Sequence, residues 1–298
     1  MTQVLVTGGS GQVGTALKRL SWPDTWSIVA PTRGQLDVSD TDALAAFVAA
    51  TRPAMVINAA AYTAVDRAES DVAAAWRINA LAPAALAMAC RATDVPLIQL
   101  STDYVFDGEK IGAWEVDDAP APLGVYGASK LAGEIAVRAA CPRHVILRTA
   151  WVVSAHGSNF VRTILRLAGE RDRLRVVADQ HGSPTSAADL AGAIQHIAIR
   201  LTRPDPPYGT FNFSNSGATT WHAFAEAICA GSALRGGPAP AVDAIAGTDY
   251  PTPARRPRNS LLSHTAIKHA FGIEPRPWQA ALGDILDEAV GPTKEPRA

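Results

Sequence analysis

Short runs of apolar residues alternate with segments of helical periodicity through the first half of the chain. Apolar runs of strand length occur at residues 4–7, 28–30, 55–58, 97–100 and 144–148. Helical patterns lie between them, at 11–20, 40–50, 73–91 and 125–139. Strands that are apolar throughout and alternate with helices are typical of a parallel sheet covered on both faces. The pattern therefore predicts an α/β fold, a Rossmann-like doubly wound parallel sheet. Ser39 is predicted to cap the helix at 40–50, because Asp42 follows it three residues later.

Composition narrows the class of protein. The 298 residues include 27 Lys and Arg against 28 Asp and Glu, and 48% are hydrophobic. This near-neutral composition is typical of a globular protein and offers no basic stripe for nucleic acid. The three cysteines, Cys90, Cys141 and Cys229, form no CxxC pair, which indicates a reducing compartment. Because charges interrupt every apolar run and the first strand pattern begins at once, we expect a cytoplasmic protein without signal peptide or membrane span.

A glycine-rich turn joins the first predicted strand to the first predicted helix. Gly8, Gly11 and Gly14 have the spacing GxxGxxG. Gly8 suits the positive φ of a tight turn, Gly11 lets the backbone approach a pyrophosphate, and Gly14 lets helix and strand pack closely. Phosphates would then meet free N–H groups at the start of the helix. An ordinary glycine loop is the alternative, but the position between strand and helix favours a dinucleotide site.

The segment after the second predicted strand bears on the choice of coenzyme. Dinucleotide folds often place a carboxylate there to bind the ribose 2′-hydroxyl of NADH. Here residues 30–34 read APTRG, and Arg33 is the one charged side chain among them. Arg33 could pair with the 2′-phosphate of NADPH, or it could be a solvated loop arginine. Asp37 and Val38, just beyond, suit contact with the adenine.

The alternation becomes irregular after Trp151. Helical patterns occur at 159–170, 187–201, 220–230 and 278–290, strand-like runs at 174–178 and 209–213, and turn-rich sequence at 236–257. We therefore predict a dinucleotide-binding domain at 1–150 and a mainly substrate-binding part at 151–298, with some segments returning to the Rossmann core. This smaller, irregular C-terminal part is expected at the carboxyl edge of the sheet, where open α/β sheets bind ligands.

Tyr126 and Lys130 lie four residues apart in the helix predicted at 125–139. This spacing brings the two side chains to one face of the helix, one turn apart. A phenol of ordinary pKa is a poor acid at neutral pH, and a neighbouring ammonium would lower that pKa. Thr102, which ends the preceding strand pattern, would bind a substrate oxygen through its hydroxyl. A YxxxK pattern alone is weak evidence, and the glycine turn upstream gives it weight.

Longer segments resemble the extended short-chain dehydrogenase/reductase superfamily. They are the glycine turn, NAAAYT at 58–63, STDYVFDG at 101–108 and YGASKLAGE at 126–134. Within that superfamily, RTAW at 148–151, DQHGSPT at 179–185, TWH at 220–222 and PTPARRPRNS at 251–260 resemble the dTDP-4-dehydrorhamnose reductases. The resemblance covers nearly the whole chain. It implies an oxidoreductase that reduces the C4 ketone of dTDP-4-dehydro-β-L-rhamnose to dTDP-L-rhamnose, with NADPH as cofactor and NADH possible.

The resemblance also implies roles for individual residues. Thr102, Tyr126 and Lys130 take the catalytic positions, with Tyr126 as the proton donor. The implied dinucleotide site comprises Gly8, Gly11, Gln12, Val13, Gly14, Arg33, Asp37, Val38, Ala61, Tyr62, Thr63, Tyr126 and Lys130. The implied nucleotide-sugar contacts are Thr102, Asp103, Trp151, Arg255, Arg256 and Asn259. Arginine forks suit a pyrophosphate clamp, whereas Trp151 could equally fill the core.

Departures from the family pattern leave alternatives open. Some relatives dimerise through a magnesium-linked carboxylate cluster, but residues 15–18 after the glycine turn contain no carboxylate. We therefore predict no metal, and a monomer or homodimer. A nucleotide-sugar epimerase or dehydratase of the same superfamily is one alternative, although Tyr104 follows Asp103 where a dehydratase has Glu. A non-catalytic regulatory subunit resembling the methionine adenosyltransferase β-subunit is another, and the joint presence of Thr102, Tyr126 and Lys130 argues against it.

Overall fold

A parallel sheet of six strands forms the centre of the structure, a computed structural model that describes residues 2–293. The strands of the chain are β1 (Thr2–Thr7), β2 (Trp26–Val29), β3 (Met55–Asn58), β4 (Leu97–Thr102), β5 (His144–Thr149), β6 (Val152–Val153), β7 (Arg173–Val177), β8 (His181–Gly182), β9 (Thr185–Ser186), β10 (Gly209–Asn212), β11 (Thr219–Thr220) and β12 (Ala241–Ile245). The central sheet has the order β2-β1-β3-β4-β5-β10, and every neighbouring pair in it is parallel. The predicted α/β architecture is confirmed.

Helices cover both faces of this sheet. The α-helices within residues 2–293 are α1 (Gln12–Arg19), α2 (Thr41–Thr51), α3 (Val65–Ala68), α4 (Val72–Trp76), α5 (Ala82–Ala92), α6 (Val125–Ala140), α7 (Phe160–Ala168), α8 (Ala187–Leu201), α9 (Trp221–Ala233), α10 (Thr265–Phe271) and α11 (Trp278–Ala289). One apolar cluster joins α1, α8 and α10 to one face, and a second joins α2, α5 and α6 to the other. Val4 and Val6 belong to the first cluster and Leu5 to the second. Because both faces of β1 are buried, these three positions are all apolar.

Segments from the second half of the chain complete the sheet and its cover. β10 pairs with β5, so that Phe211 lies opposite Leu147. α8 packs against α1, and its residue Ile194 is fully buried in the same cluster as Val4. The rest of the second half has an apolar cluster of its own around Phe224, in which α7, α9 and α11 meet. Several elements of the second half had no sequence prediction: the helix α10, the two-residue strands β6, β8, β9 and β11, and β12, which is a partly exposed strand within the turn-rich stretch.

The helix predicted at 73–91 is interrupted. α4 ends at Trp76, a π-helical segment covers Arg77–Leu81, and α5 follows from Ala82. Pro83 has no N–H to donate to the carbonyl of Asn79, four residues earlier, and a proline ring clashes with that carbonyl in a regular α-helix. The helix therefore widens into a π-turn at this point. By length and composition Val72–Ala92 could cross a membrane, but half of its most apolar stretch is buried inside the protein.

The start of α2 also differs from the prediction. Asp40, rather than Ser39, caps the helix, because its carboxylate accepts the N–H of Ala43 at 3.0 Å. The N–H of Ser39 is bound to the Asp37 carboxylate at 2.9 Å instead. The chain thus makes an Asx turn one residue before the cap, and a capping-box pattern alone does not reveal that turn.

A buried polar network joins the carboxyl ends of β1 and β3 to the middle of β4. The Thr7 hydroxyl donates to Asn58 at 2.5 Å, and the Asn58 amide donates to Gln99 at 2.7 Å. All three side chains are buried. β1 has β2 on one side and β3 on the other, so the connections leave the sheet in opposite directions here. Such a reversal opens a crevice at the carboxyl edge of an open α/β sheet, and the candidate site lies at this edge.

Candidate active site

The glycine turn follows β1 at the carboxyl edge of the sheet. Gly8 has a φ of +71°, and a Cβ at this position would lie 2.6 Å from the backbone nitrogen of Ala60. A Cβ at Gly14 would lie 2.2 Å from the Gly8 carbonyl oxygen. No side chain in the described part of the chain caps α1, whose first turn starts at Gln12. The first N–H groups of α1 can therefore bind an anion.

A groove of about 230 Å³ lies beside this turn. Among the residues predicted to bind the dinucleotide, its lining contains Gly8, Gly11, Arg33, Asp37, Val38 and Ala61. The side chain of Gln12 is directed elsewhere, because its amide oxygen accepts from Ser154 at 2.8 Å and from Asn159 at 2.9 Å. Val13 packs against the apolar cluster under the sheet. The close-packed glycine cradle and the uncapped helix start fit a dinucleotide.

Arg33 lies at the rim of this groove with 78% of its side chain exposed. Its Nε is 3.3 Å from the Asp37 carboxylate. The pKa of Asp37 is lowered, first by hydrogen bonds from Ser39 and then by the guanidinium of Arg33. A 2′-phosphate would therefore meet an arginine that already has a carboxylate partner, and the preference for NADPH over NADH stays a prediction.

Thr102 and Asp103 are buried at the carboxyl end of β4. The Thr102 hydroxyl donates to Oδ1 of Asp103 at 3.0 Å. Burial raises the pKa of Asp103 to about 6, although the nearby hydroxyls of Ser260 and Thr102 oppose the shift. The second oxygen, Oδ2, is buried and finds no hydrogen-bond partner within residues 2–293. A hydroxyl group of a ligand could supply that partner.

Tyr126 is half-buried in the first turn of α6, close to Thr102. Burial raises the pKa of Tyr126 to about 12; the nearby hydroxyl of Thr102 opposes the rise and the charge of Asp103 adds to it. The ring of Tyr126 meets that of Tyr104 edge-on, with centroids 5.4 Å apart. The phenol is therefore protonated at neutral pH, as a general acid must be, but its raised pKa makes it a weaker acid than a free tyrosine.

Lys130 is buried one turn further along α6. Its ammonium donates to the carbonyl of Leu100 at 2.6 Å. Burial lowers the pKa of Lys130 to about 8, although the charge of Glu134 opposes this. In this structure Thr102, rather than Lys130, is the group that lowers the pKa of Tyr126. The Leu100 carbonyl binds the ammonium at the strand end, so the predicted effect of Lys130 on the phenol is not observed.

Asn79, in the π-helical segment, is a site residue that the sequence analysis missed. Its side-chain oxygen accepts the N–H of Tyr62 at 2.8 Å, and its amide donates to the Tyr62 carbonyl at 3.1 Å. The same amide donates to the Ser129 hydroxyl at 3.1 Å, and that hydroxyl donates to the carbonyl of Tyr126 at 2.8 Å. Asn79 thereby joins the segment at 61–63, predicted to bind the dinucleotide, to the helix that carries Tyr126 and Lys130. The signal in the sequence is a polar residue within an apolar helical pattern, four positions before Pro83.

Helix α6 is also fixed to the sheet by a buried ion pair. Arg148 of β5 donates to both carboxylate oxygens of Glu134, at 2.9 and 2.8 Å. Both side chains are 1% exposed. Although burial opposes it, the arginine holds the pKa of Glu134 below its ordinary value. This pair fixes the helix that positions Tyr126 and Lys130.

The residues predicted to contact the nucleotide sugar are divided by the structure. Arg255 and Arg256 line a groove of about 430 Å³ together with Arg258, which we call the arginine groove. Asn259 does not line this groove. Its amide donates to the carbonyls of Lys110 and Gly112 at 2.8 and 2.6 Å. It ties two loops together rather than facing the groove.

Trp151 has a packing role in the structure. Its indole stacks on Trp221 with ring centroids 3.5 Å apart, and it also packs against the cluster around Phe106. Its φ of +48° is rare for a tryptophan and places the ring at the end of β5. Contact with the sugar or base therefore stays a prediction.

Residues 2–293 contain no group of three or more His, Cys, Asp or Glu side chains that could hold a metal ion. One carboxylate beside α1, that of Glu288, is bound to Arg19 at 2.9 Å and to His156 at 2.6 Å. The contact with Arg19 is an ion pair between α1 and α11.

Comparison with known proteins identifies the family. Residues 1–290 match the family model described as the RmlD substrate binding domain. The chain is 42% identical to the dTDP-4-dehydrorhamnose reductase of Burkholderia thailandensis, over 96% of this chain and 100% of the relative. A solved dTDP-4-dehydrorhamnose reductase from Clostridium acetobutylicum superimposes with a TM-score of 0.90 at 34% identity, over 96% of this chain and 98% of that one. Another from Bacillus anthracis, in complex with NADP, gives 0.89 at 33% identity, over 96% and 99%. The chain therefore belongs to the dTDP-4-dehydrorhamnose reductase family.

Proposed function

We propose that this chain reduces the C4 ketone of dTDP-4-dehydro-β-L-rhamnose to dTDP-L-rhamnose, with NADPH as the preferred cofactor. The observation that carries the proposal is a phenol, Tyr126, that stays protonated at neutral pH beside the hydroxyl of Thr102. A glycine cradle that fits a dinucleotide and an arginine groove that fits a diphosphate occur in the same chain. Family membership supplies the identity of the sugar.

The proposed roles follow from the contacts of each side chain. Bound NADPH supplies the hydride. Tyr126 gives its proton to the oxygen at C4, and Thr102 orients that oxygen through its hydroxyl. Lys130 has one N–H on the Leu100 carbonyl, and its remaining donors are suited to the hydroxyls of the nicotinamide ribose. The protein thus contributes position and protonation state.

The nucleotide sugar is expected to contact the second half of the site. Asp103 has a buried oxygen without a partner in the described residues, which suits a sugar hydroxyl. Arg255 and Arg256 suit the diphosphate, since a guanidinium fork matches its oxygens. Action in the cytoplasm, as a monomer or homodimer, stays a prediction.

Tyr126→Phe tests the role of the phenol. Without the acid, turnover should fall by about 10²–10⁴-fold, while the affinity for NADPH should stay within about twofold because the ring remains in place. Turnover is measured as the rate of NADPH oxidation at saturating nucleotide sugar, and the NADPH affinity is measured by fluorescence titration. Tyr208→Phe is the matched control, because the hydroxyl of Tyr208 accepts from Arg143 at 3.0 Å, away from these residues.

Turnover of Tyr126→Phe close to that of the unmodified chain would contradict the role of the phenol. The same assay distinguishes the alternatives. A reductase consumes NADPH or NADH in proportion to the ketone reduced, whereas an epimerase or dehydratase restores its cofactor in each cycle.

A further inference from the structure

Asp66 connects two segments that lie far apart in the sequence. It is part of the short helix α3, which follows directly on the segment at 61–63 beside the dinucleotide groove. Its carboxylate accepts the N–H of Ala254 at 3.2 Å and an N–H of Arg256, from Nη2, at 2.7 Å. Asp66 thus fixes both the backbone and the guanidinium of a segment almost two hundred residues further along the chain.

The other edge of the Arg256 guanidinium has no such partner. Nη1 is buried and makes no hydrogen bond to any of the residues 2–293, although the side chain lines the arginine groove. A buried donor without an acceptor is unfavourable, and an arriving ligand oxygen would satisfy it. The guanidinium also lies near the proposed catalytic tyrosine. Its positive charge opposes the rise in the pKa of Tyr104 that burial causes, and the ring of Tyr104 packs on the ring of Tyr126.

Helix α3 is also attached to the helix that carries the phenol. Glu69, the residue at its C-terminal end, accepts the N–H of Val125 at 2.8 Å. Val125 immediately precedes Tyr126 in α6. One short helix therefore sets where Arg256 lies relative to Tyr126.

We propose that Asp66 is a positioning residue, which orients Arg256 so that Nη1 binds the diphosphate of the nucleotide sugar. The inference rests on the proposed function, in which that diphosphate belongs to the substrate. Asp66 does not itself touch the substrate. It fixes the rotation of the planar Arg256 guanidinium, in which Nη2 binds Asp66 and Nη1 is left for the ligand. A lysine at position 256 has a single nitrogen and could not divide its contacts in this fixed geometry.

Asp66→Asn tests the proposal with dTDP as the probe. The amide keeps an oxygen for the N–H of Ala254 but removes the charge opposite Arg256. We expect the Kd for dTDP, and the KM for the nucleotide sugar, to rise about tenfold, with kcat and the NADPH affinity within about twofold. Arg67→Gln is the matched control, because Arg67 lies on the same helix with 76% of its side chain exposed and should leave both constants unchanged.

A double substitution separates positioning from general stability. If Asp66 acts through Arg256, then Asp66→Asn should weaken dTDP binding no further in an Arg256→Gln chain. An equal loss in both backgrounds, an unchanged Kd in Asp66→Asn, or no dTDP binding by the unmodified chain would overturn the proposal. If Asp66→Asn does not fold, Arg256→Lys keeps the charge without the fork and should raise the Kd for dTDP likewise; an unchanged Kd would overturn the proposal. Failure of the proposed function would appear differently, as dTDP binding without NADPH oxidation.

Discussion

Lys130 carries an ionisable group where water does not reach it. Its ammonium has one carbonyl partner and one buried carboxylate nearby, Glu134, which Arg148 already neutralises. Desolvation therefore dominates and lowers the pKa to about 8. Tyr126, with a pKa of about 12, keeps its proton throughout the same range. The first group of this site to lose its proton above neutral pH is thus the lysine.

This difference predicts a basic limb in the pH profile. Above about pH 8 the free enzyme loses the ammonium that we propose binds the ribose, so kcat/KM should fall with an apparent pKa near 8. Stability should move in the opposite direction. The unfolded lysine keeps its proton to about pH 10.5 and the folded one does not, so the unfolded state binds more protons in between and stability rises with pH.

Both effects are measurable from pH 6 to 10, by initial rates and by urea unfolding. Lys130→Gln should lose the rise in stability between pH 8 and 10. A kcat/KM that stays constant up to pH 10 in the unmodified chain would show that the ammonium is not required.

The sequence could predict part of the site because local geometry determines it. Thr102 ends a strand and Tyr126 starts the next long helix, and parallel strands bring such positions to one edge of the sheet. The role of Asn259 could not be predicted, since its carbonyl partner Gly112 is 147 residues away and only the meeting of two loops reveals the contact. Asp66 and Glu69 escaped notice for the same reason.

At the scale of elements, the π-helical segment is the feature that sets the geometry of the site. Pro83 cannot bind the carbonyl of Asn79, and that carbonyl instead faces Gly133 of α6. A Cβ at Gly133 would lie 2.2 Å from the Asn79 oxygen. The widened turn and the glycine thus let two helices approach closely enough for Asn79 to reach Ser129. The apolar pattern of the sequence continues through this turn, and helical periodicity does not reveal a single inserted residue. Pro83 was the one sign in the sequence that the helix could be irregular here.

Gly133→Ala should separate these helices. The added methyl meets backbone that cannot move freely, so we expect a loss of about 1–3 kcal/mol in unfolding free energy and a lower kcat as Tyr126 shifts. Gly192→Ala in α8 is the control, because a Cβ there meets nothing within 4 Å, and it should stabilise by about 0.5–1 kcal/mol. Urea unfolding and initial rates measure both. An unchanged kcat in Gly133→Ala would show that the close approach does not position the phenol.

At the scale of the whole molecule, the two halves of the sequence share one core. β10 forms an edge of the central sheet and α8 covers one of its faces. The run at 209–213 and the helical pattern at 187–201 were both visible in the sequence. Their place in the sheet was predicted only in general terms, because pairing between distant strands leaves no local signal. Residues of the first 150 therefore depend on later ones for their packing.

Because of this dependence, a substitution in the second half of the chain should lower the stability of the first half as well. Ile194 is fully buried in the cluster that contains Val4 and Val6 of β1. Ile194→Ala should lower the unfolding free energy by about 2–5 kcal/mol, in a single urea transition. The exposed Met88, at 60% accessibility, gives the control Met88→Ala, which should change the free energy by no more than about 0.5 kcal/mol. NADPH binding, followed through the same transition, should disappear together with the overall fold. The contrary result would be two separate urea transitions in Ile194→Ala, with NADPH binding lost at the same urea concentration as in the unmodified chain. It would mean that the glycine turn and its sheet fold without α8.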